Sequence, residues 1–295
     1  MSNINKIMVT GALGHIGSYI IRDLAERFSG MEMILVDNMM TQRYSSLFNL
    51  PSTGCYRFHD ADVTTMNLIE ELESVDVVIH LAAITDAAGS FDNAKQLEDN
   101  NYEATGRVAE ACAATGTRMI CLSSTSVYGT QKSVVSENCS LEELRPQSPY
   151  AETKLREEKL VGSLAQEKGL SAVTFRFGTI FGPSPGMRFH TAVNKFCWQA
   201  AMRQPITVYR TAYDQKRPYL DLNDAARAIA FVLEQDLFDC RIYNVLTHST
   251  LENKSFWIRN SLGRLIKREI VNPIISDVFV NPVVSGGFLN DLYQV

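Results

Sequence analysis

The sequence predicts a doubly wound α/β fold, in which helices cover both faces of a parallel β-sheet. Short apolar runs alternate with helix-length amphipathic segments over roughly the first 180 residues, as in consecutive β–α–β units. The runs at 33–36 and 77–79 are continuously apolar rather than alternating, which is typical of strands buried on both faces. A glycine-rich segment, 11–17, joins the first strand to the first helix. These observations together favour the doubly wound class.

The individual elements follow from apolar periodicity and from the breaker residues at their ends. The predicted strands are residues 6–10, 32–37, 56–59, 75–81, 118–123, 171–177 and 241–245. The predicted helices are residues 16–28, 65–74, 94–114, 150–168, 191–203 and 223–235, with Asp224 expected to cap the last of them. The periodicity weakens after residue 177, and prolines and glycines interrupt it from residue 272 onward.

This pattern divides the chain of 295 residues into two predicted parts. Residues 1–178, joined by 217–246, form the sheet-containing dinucleotide-binding domain. Residues 179–216 and 247–295 form a smaller C-terminal substrate-binding α/β domain. The chain is long enough to bury a sizeable core without metals or disulfides.

Composition and charge exclude several classes of protein. The net charge is −5 and no basic block is present, which argues against nucleic acid as a partner. The six cysteines are scattered without a C-x-x-C pair, so neither a disulfide framework nor a metal site is expected. The longest apolar stretch contains Asp76 and His80 and is too short to span a membrane. These features predict a cytoplasmic protein.

The glycine-rich segment predicts a dinucleotide site. Gly11, Gly14 and Gly17 allow a tight turn and a close backbone approach to a pyrophosphate at the helix N-terminus. A plain β–α turn is the simpler explanation of the glycines alone. However, Asp37 closes the next strand, where its carboxylate can accept hydrogen bonds from ribose hydroxyls and repel a 2′-phosphate, which favours NAD over NADP. Asp62, after the third strand, either meets the adenine or caps the following turn.

A tyrosine and a lysine predict acid–base chemistry. Tyr150 and Lys154 lie four residues apart at the start of a helix and therefore share one face. A neighbouring ammonium favours the phenolate, so Tyr150 becomes a usable general base. Ser123 and Ser124 lie at the end of the fifth strand, where ligands bind in open α/β sheets. A surface pair is the simpler explanation of the Y-x-x-x-K spacing alone.

At this point the sequence resembles the extended short-chain dehydrogenase/reductases with a Rossmann fold, and within them the NAD-dependent nucleotide-sugar epimerases and dehydratases. The resemblance covers roughly residues 4–250. The matching segments are residues 11–17, 80–83, 101–105, 123–129, 150–154, 176 with 182–183, and 217–224.

The resemblance implies roles for individual residues. Tyr150 would take the proton of a sugar hydroxyl, Ser124 would hold the same oxygen, and Lys154 would also bind the nicotinamide ribose. The implied catalytic residues are therefore Ser124, Tyr150 and Lys154. The implied NAD-binding residues are Gly11, Gly14, His15, Ile16, Gly17, Asp37, Asp62, Val63, Leu81, Ala82, Ala83, Asn101, Tyr150 and Lys154. The implied nucleotide-sugar-binding residues are Thr85, Ser124, Thr125, Thr179, Asn194, Val208, Tyr209 and Arg217. A buried structural amide is an equally good interpretation of Asn101.

Departures from the family pattern narrow the expected reaction. The 4,6-dehydratases carry an Asp-Glu pair where this chain has Thr125 and Ser126, so elimination lacks its acid and base. Oxidation and reduction at one carbon remain, which predicts a 4-epimerase, with a UDP-sugar favoured. Residues 189–196 and 205–209 are also similar to the sulfoquinovose synthases, which leaves a sulfosugar synthase open. A net reductase or dehydrogenase and a non-catalytic dinucleotide sensor are also compatible with the motifs.

The helices at 94–114 and 150–168 predict a homodimer. Each has more apolar positions than one buried stripe requires, including Ala109, Ala113, Ala114, Val161 and Ala165. In the family these helices lie on one side of the sheet. We therefore expect a twofold-symmetric four-helix bundle between two subunits, the alternative being a monomer whose loops cover this face.

Overall fold

The computed structural model describes residues 4–85, 94–129, 135–206 and 218–247, with residues 94–99 described only as helical backbone. It also describes two short antiparallel strands, Ile258–Arg259 and Leu265–Ile266.

A seven-stranded parallel sheet forms the centre of the molecule. Its strands are β1 (Lys6–Thr10), β2 (Glu32–Asp37), β3 (Cys55–Asp60), β4 (Val77–His80), β5 (Arg118–Ser124), β6 (Ala172–Phe177) and β9 (Ile242–Val245). Their order across the sheet is β3-β2-β1-β4-β5-β6-β9, and every pair is parallel. The order reverses between β1 and β4, and such a reversal opens a ligand crevice at the carboxyl ends of the strands. The predicted doubly wound fold is confirmed.

Helices cover both faces of this sheet. The described α-helices are α1 (His15–Arg27), α2 (Leu68–Leu72), α3 (Ala94–Thr115), α4 (Pro149–Lys168), α5 (Ala192–Ala201) and α6 (Leu222–Gln235). Helices α1 and α6 pack on one face, where Ile20 and Ile229 join the apolar cluster of alternate strand residues. Helices α2, α3 and α4 pack on the other face, where Leu72, Val108 and Leu164 join the second cluster. Because successive strand residues point to opposite faces, the central strands β1, β2, β4, β5 and β6 contribute to both clusters, whereas the edge strands β3 and β9 contribute only to the first.

Besides the two short strands at 258–259 and 265–266, the structure contains two more strands that the sequence does not predict. Thr179–Phe181 (β7) and Tyr219–Asp221 (β8) form a small parallel sheet of their own. Each strand has only three residues, too few for a hydrophobic period to show. The second helix is also shorter than predicted, because residues 62–66 form a separate turn in which Thr65 N–H and Met66 N–H donate to the Asp62 carbonyl.

The cap of α6 differs from the expectation that Asp224 fills this role. Asp221 is the N-cap residue, and its side chain accepts a hydrogen bond from Asn223 N–H. Asp224 lies inside the first turn, where it accepts from the Thr247 hydroxyl at 2.6 Å and pairs with Arg227. The prediction is wrong because the helix already begins at Leu222, so the residue before it, Asp221, is the cap.

Two of the extra apolar positions of α3 and α4, Ala109 and Val161, have a different role from the one predicted, whereas Ala113 and Ala165 are half-buried and Ala114 is exposed. Ala109 and Val161 are 0% and 4% exposed and belong to the cluster between these helices and the sheet. The prediction that they face a second subunit is wrong, because the contact between the two helices buries them within one chain. The outward face of the helices instead carries exposed charges, at Glu103, Arg107, Glu110, Arg156 and Lys159.

Among the described residues, no helix combines the length and apolar character needed to cross a membrane.

Candidate active site

The glycine-rich segment forms a turn that leaves no room for a side chain at Gly11 or Gly17. Gly11 has φ +64°, and a Cβ there would lie 2.7 Å from the backbone of Leu81 and Ala82. A Cβ on Gly17 would lie 2.4 Å from the Gly11 carbonyl oxygen, so α1 lies closely against this turn. Gly14 caps α1 without a side-chain acceptor. The N–H groups of the first helical turn therefore have no side-chain cap, and they form a site suited to an anion.

A cavity of about 290 Å³ opens beside this turn. Of the residues expected to bind the cofactor or the substrate, it is lined by Gly11, Gly14, Asp37, Asp62, Val63, Leu81, Ala82, Ala83 and Thr85. These residues follow β1, β2, β3 and β4, at the carboxyl ends of the parallel strands. The structure therefore brings together most of the predicted adenosine and pyrophosphate contacts, while Thr85, predicted on the substrate side, lies in the same cavity wall.

Two aspartates shape the far end of this cavity. Asp37 accepts hydrogen bonds from Leu13 N–H at 3.1 Å and Met39 N–H at 3.0 Å. Because an ionised carboxylate has about four acceptor sites, Asp37 can still accept from a ribose. Asp62 accepts from Thr64 N–H and the Thr64 hydroxyl, so it caps this turn while lining the cavity. Burial alone would raise the pKa of the Asp62 carboxyl. The hydrogen bonds from Thr64 and Asn38 outweigh this effect, so the pKa is lowered.

Two predicted cofactor residues hold the walls of the site together. His15 Nε2 lies 2.8 Å from the Gly182 carbonyl oxygen and links the glycine-rich turn to the segment after β7. Asn101 is fully buried, where its amide accepts from Ile84 N–H at 2.7 Å and donates to Ile84 O at 2.8 Å. The interpretation of Asn101 as a buried structural amide therefore fits its contacts. Ile16 lies in the first turn of α1, outside the cavity lining.

Two arginines in the cavity wall were missed by the sequence analysis. Arg43 follows β2 and Arg188 follows the turn at 182–186, and both line the cavity together with His190. The pKa of His15 is lowered to about 4, first by burial and then by the positive charges of Arg188 and Arg43, while the hydrogen bond with Gly182 opposes the shift. This positive field lies beside the α1 N-terminus and suits a pyrophosphate. Their sequence signal is an arginine a few residues after a predicted strand end, for Arg43, or after the predicted turn at 182–186, for Arg188.

The tyrosine and lysine lie at the start of α4. The Ser148 hydroxyl accepts from Ala151 N–H at 3.2 Å, and Pro149 occupies the first helical turn, which fixes where the helix begins. Tyr150 is half-buried, and the Lys154 Nζ lies 5.9 Å from the centre of its ring. Burial raises the pKa of Tyr150 above its usual value of 10.0, and Lys154 opposes this rise. Lys154 therefore lowers the pKa of Tyr150 as expected, but the opposite effect of burial is larger.

A buried ionic network holds the segment after β5. Arg176 donates to Glu158 at 2.8 and 2.6 Å and to the Tyr128 hydroxyl at 2.8 Å. The Ser123 hydroxyl donates to Glu158 at 2.5 Å. Ser124, the next residue, ends β5 and accepts from Ser126 N–H at 3.2 Å. The network therefore fixes the backbone on which Ser124 is presented.

The remaining predicted substrate residues are only partly described. Thr125 donates to the Phe177 carbonyl at 3.3 Å, and Thr179 begins β7. Asn194 is buried, accepts from Gly182 N–H at 3.1 Å and donates to the Arg188 carbonyl at 3.0 Å. Asn194 thus forms hydrogen bonds with both ends of the segment 182–188, which carries Arg188. Val208, Tyr209 and Arg217 lie outside the described residues.

The residues present fit NAD. The absence of a Cβ at Gly11 leaves space for a pyrophosphate close to the backbone. The α1 N-terminus, with Arg43 and Arg188 nearby, suits the negative charge of the diphosphate. The Asp37 carboxylate suits the hydroxyls of a ribose.

Buried histidines predict a loss of stability in acid. Burial lowers the pKa of His15 to about 4 and that of His80 to about 3, from 6.5. Below pH 6.5 the unfolded chain therefore binds protons that the folded chain does not, so stability falls as the pH falls. We expect each histidine to lower the free energy of unfolding by about 1.4 kcal/mol per pH unit between roughly pH 6 and 4.

Urea unfolding at several pH values in this range measures the slope. A His80→Gln variant should lose the contribution of one histidine, about 1.4 kcal/mol per pH unit. An unchanged slope in this variant would contradict the burial of a neutral His80.

Comparison with known sequences places these features in one family. A family model described as the NAD dependent epimerase/dehydratase family matches residues 7–245. The protein of Bacillus subtilis (strain 168) named "Uncharacterized UDP-glucose epimerase YtcB" is 34% identical over 236 residues, 77% of this chain and 72% of that protein. The UDP-glucuronate 4-epimerase of Thermodesulfobacterium geofontis (strain OPF15) is 28% identical and spans 75% of this chain and 69% of its own length.

Solved structures agree with the sequence comparison. The UDP-glucuronic acid 4-epimerase from Bacillus cereus, in complex with UDP-glucuronic acid and NAD, has a TM-score of 0.74 and 28% identity, covering 82% of this chain and 78% of that one. MoeE5 in complex with UDP-glucuronic acid and NAD has a TM-score of 0.70 and 30% identity, with 82% and 76% covered. The resemblance inferred from the motifs is confirmed: the chain belongs to the NAD dependent epimerase/dehydratase family.

Proposed function

We propose that the protein is an NAD-dependent 4-epimerase of a nucleotide-sugar, with a UDP-sugar as substrate and a transient keto-sugar as intermediate. The observation that carries the proposal is the combination of Tyr150 and Lys154 on α4 with Ser124 at the end of β5, followed by Thr125 and Ser126. Hydroxyl side chains at these two positions do not provide the carboxyl acid and base that elimination of water requires.

Each side chain has a separate part in this reaction. Tyr150 as phenolate accepts the proton of the sugar hydroxyl and later returns it to the same oxygen. Ser124 hydrogen-bonds that oxygen and orients the reacting carbon. Lys154, as an ammonium, favours the phenolate form of Tyr150. NAD, when bound, supplies a nicotinamide that accepts a hydride from the carbon and gives it back.

The preference for a UDP-sugar rests on the relatives. One is named a UDP-glucose epimerase, another a UDP-glucuronate 4-epimerase, and MoeE5 has been solved with UDP-glucuronic acid and with UDP-glucose. The expected diphosphate contact, Arg217, belongs to this proposal, as do Val208 and Tyr209 on the sugar side. We further propose that residues 179–216 and 247–295 form the substrate-binding part, and that residues 1–178 with 217–246 bind the cofactor.

A panel of substrates tests the proposed activity. The purified protein is incubated with UDP-glucose, UDP-glucuronic acid, UDP-N-acetylglucosamine and their dTDP, CDP and GDP counterparts, and the products are separated by chromatography. We expect a 4-epimer from at least one UDP-sugar without accumulation of free NADH. A net reductase or dehydrogenase would consume or release NADH, and absence of turnover on every sugar with NAD bound would contradict the proposal.

Removal of the Asp37 carboxylate should relax cofactor choice. In Asp37→Ala, we expect weaker binding of NAD and less discrimination against NADP, because the ribose acceptor and the charge that repels a phosphate are both lost. Since Asp37 also accepts from Leu13 and Met39, Asp37→Asn is the matched control that keeps an acceptor oxygen without the charge. Calorimetric titration with both cofactors checks this result, and an unchanged NAD-to-NADP ratio in Asp37→Ala would contradict the assignment.

We also propose a homodimer that associates through α3 and α4. Support comes from their outward face, which carries exposed charges of both signs, such as Glu103, Glu110, Arg156 and Lys159, that a twofold axis can pair. A charged contact of this kind weakens as salt increases. Light scattering should give twice the chain mass of 33.0 kDa at low salt and a lower mass at high salt. A mass of 33.0 kDa at micromolar concentration and low salt would exclude the dimer.

The proposed location is the cytoplasm. All six cysteines are free thiols, and two of them, Cys112 and Cys121, are buried. Free thiols are typical of proteins in a reducing compartment.

A further inference from the structure

A buried carboxylate lies one turn beyond the tyrosine–lysine pair. Glu157 Oε2 lies 2.8 Å from Lys154 Nζ, and the two side chains are only 1% and 6% exposed. The same Nζ lies 5.9 Å from the centre of the Tyr150 ring. Spacings of four and three residues place Tyr150, Lys154 and Glu157 in a row along one face of α4. The proposed mechanism uses the first two members of this row and leaves the third without a role.

Glu157 is not explained by the packing of the fold. The neighbouring Glu158 is fully engaged with Arg176 and Ser123, but no described residue forms a hydrogen bond with Oε1 of Glu157. A polar contact from the Thr105 hydroxyl on α3 lowers the pKa of Glu157, and the same hydroxyl lies 3.2 Å from His80 Nε2. Burying a carboxylate without all its hydrogen bonds is costly, so a side chain that only filled this space would be better apolar. Its charge on Lys154 is the feature that an apolar side chain would not provide.

The electrostatic effects within the row oppose each other. Burial lowers the pKa of Lys154, but Glu157 raises it, and the result is well above the usual value. Burial and Glu157 both raise the pKa of Tyr150, which Lys154 lowers. Burial raises the pKa of Glu157 as well. The other titratable or charged groups that act on the row are His80 on β4, Cys121 on β5, Glu158 on α4 and Arg188 in the segment after β7.

Two of these surrounding groups are neutral near pH 7. Burial lowers the pKa of His80 to about 3 and raises that of Cys121 to about 12. Glu158 is paired with Arg176, so much of its charge is compensated at short range. Glu157 is therefore the carboxylate that forms a direct ion pair with Lys154.

We propose that Glu157 is a positioning residue for the catalytic pair: it keeps Lys154 protonated and holds the ammonium beside Tyr150, and so sets the pH range of proton exchange. The inference rests on the proposed function, because it assigns Tyr150 the exchange with the sugar hydroxyl. The proton moves between that hydroxyl and the Tyr150 phenolate in each direction. Glu157 takes no proton in the cycle and acts only through its charge and its contact with Lys154.

Glu157→Gln, which keeps the size of the side chain, is the decisive variant. Loss of a nearby negative charge favours the deprotonated forms of both Tyr150 and Lys154. Both limbs of the pH profile of kcat should therefore move to lower pH, by about one unit. Glu152→Gln removes the same charge from an exposed position of α4 and should leave both limbs in place. In Glu157→Asp the side chain is one methylene shorter, so its carboxylate remains but lies farther from Lys154. This variant should shift both limbs in the same direction but less than Glu157→Gln does.

A second measurement needs no substrate. The ionisation of Tyr150 is followed by ultraviolet absorption of the NAD-bound protein, as the difference between each variant and the same variant carrying Tyr150→Phe. We expect the Tyr150 titration to move to lower pH in Glu157→Gln and to stay in place in Glu152→Gln. If no sugar is turned over, the proposed function fails, and this titration still decides the role of Glu157.

Two results would overturn the inference. One is a uniform loss of kcat in Glu157→Gln with unmoved limbs and an unmoved Tyr150 titration, which a purely structural role would give. The other is a shift of either group to higher pH. If Glu157→Gln does not fold, Glu157→Asp decides by the same two readouts, since unmoved limbs in that variant also overturn the inference.

Discussion

Tyr150→Phe should lower kcat by about 10²–10⁴-fold, the usual contribution of general acid–base catalysis. The variant loses only the phenolic oxygen that exchanges the proton with the sugar hydroxyl. The Tyr150 ring and its contact with Lys154 remain, so NAD should still bind. Steady-state turnover of the active UDP-sugar and calorimetric titration with NAD measure the two properties separately.

A tyrosine outside the site provides the control. Tyr102 lies on α3, where its ring is covered by the Arg156 guanidinium at 4.5 Å, and Tyr102→Phe removes the same atom type. We expect turnover within twofold of the parent protein for this control, by the rule that surface changes are nearly neutral. Wild-type turnover by Tyr150→Phe would show that another residue is the base.

Arg176→Met should destabilise the protein by about 3–5 kcal/mol, the typical cost of removing one partner of a buried ion pair. Arg176 and Glu158 have side chains only 3% exposed each, and they are joined by two hydrogen bonds. The substitution leaves the Glu158 carboxylate buried with the Ser123 hydroxyl as its remaining donor in the network. Equilibrium unfolding in urea measures the change.

The double variant separates the ion pair from simple loss of packing. Glu158→Leu combined with Arg176→Met replaces both charges by apolar side chains, which is often close to neutral for a buried pair. The Ser123 and Tyr128 hydroxyls each lose a partner, at a cost of about 1 kcal/mol apiece. We therefore expect the double variant to be more stable than Arg176→Met alone. A double variant as unstable as the sum of the two single variants would contradict this account.

The parts of the fold that were predictable depend on local patterns. The continuous apolar runs of β2 and β4 predicted a parallel sheet, and the glycines at 11, 14 and 17 predicted the turn into α1. Asp37, Tyr150 and Lys154 were predictable because their spacing along the chain already places them at strand ends or on one helical face. The three-residue strands β7 and β8 were not predictable, since they are too short to carry a period.

The parts of the site that were missed depend on contacts between distant segments. Arg188 reaches the cavity because the segment after β7 lies against the glycine-rich turn, with the Ser184 hydroxyl donating to the His15 carbonyl at 2.9 Å. Glu157 faces Lys154 rather than solvent only because α3 and α4 bury that face of the helix. The inward burial of Ala109 and Val161 has the same origin, which is why helix composition alone suggested a subunit contact there. Periodicity gives the width of an apolar face but not what covers it.

At the centre of the proposed function, one carbon of a UDP-sugar would be oxidised and then reduced again without release of the cofactor, which would take up the hydride and return it, while Tyr150 moves the proton. The most direct test is a UDP-sugar carrying deuterium on C4, incubated to equilibrium in ordinary water. We predict that both 4-epimers retain the deuterium on C4 and that no free NADH accumulates. Exchange of the label with solvent hydrogen, or stoichiometric production of NADH, would contradict the account.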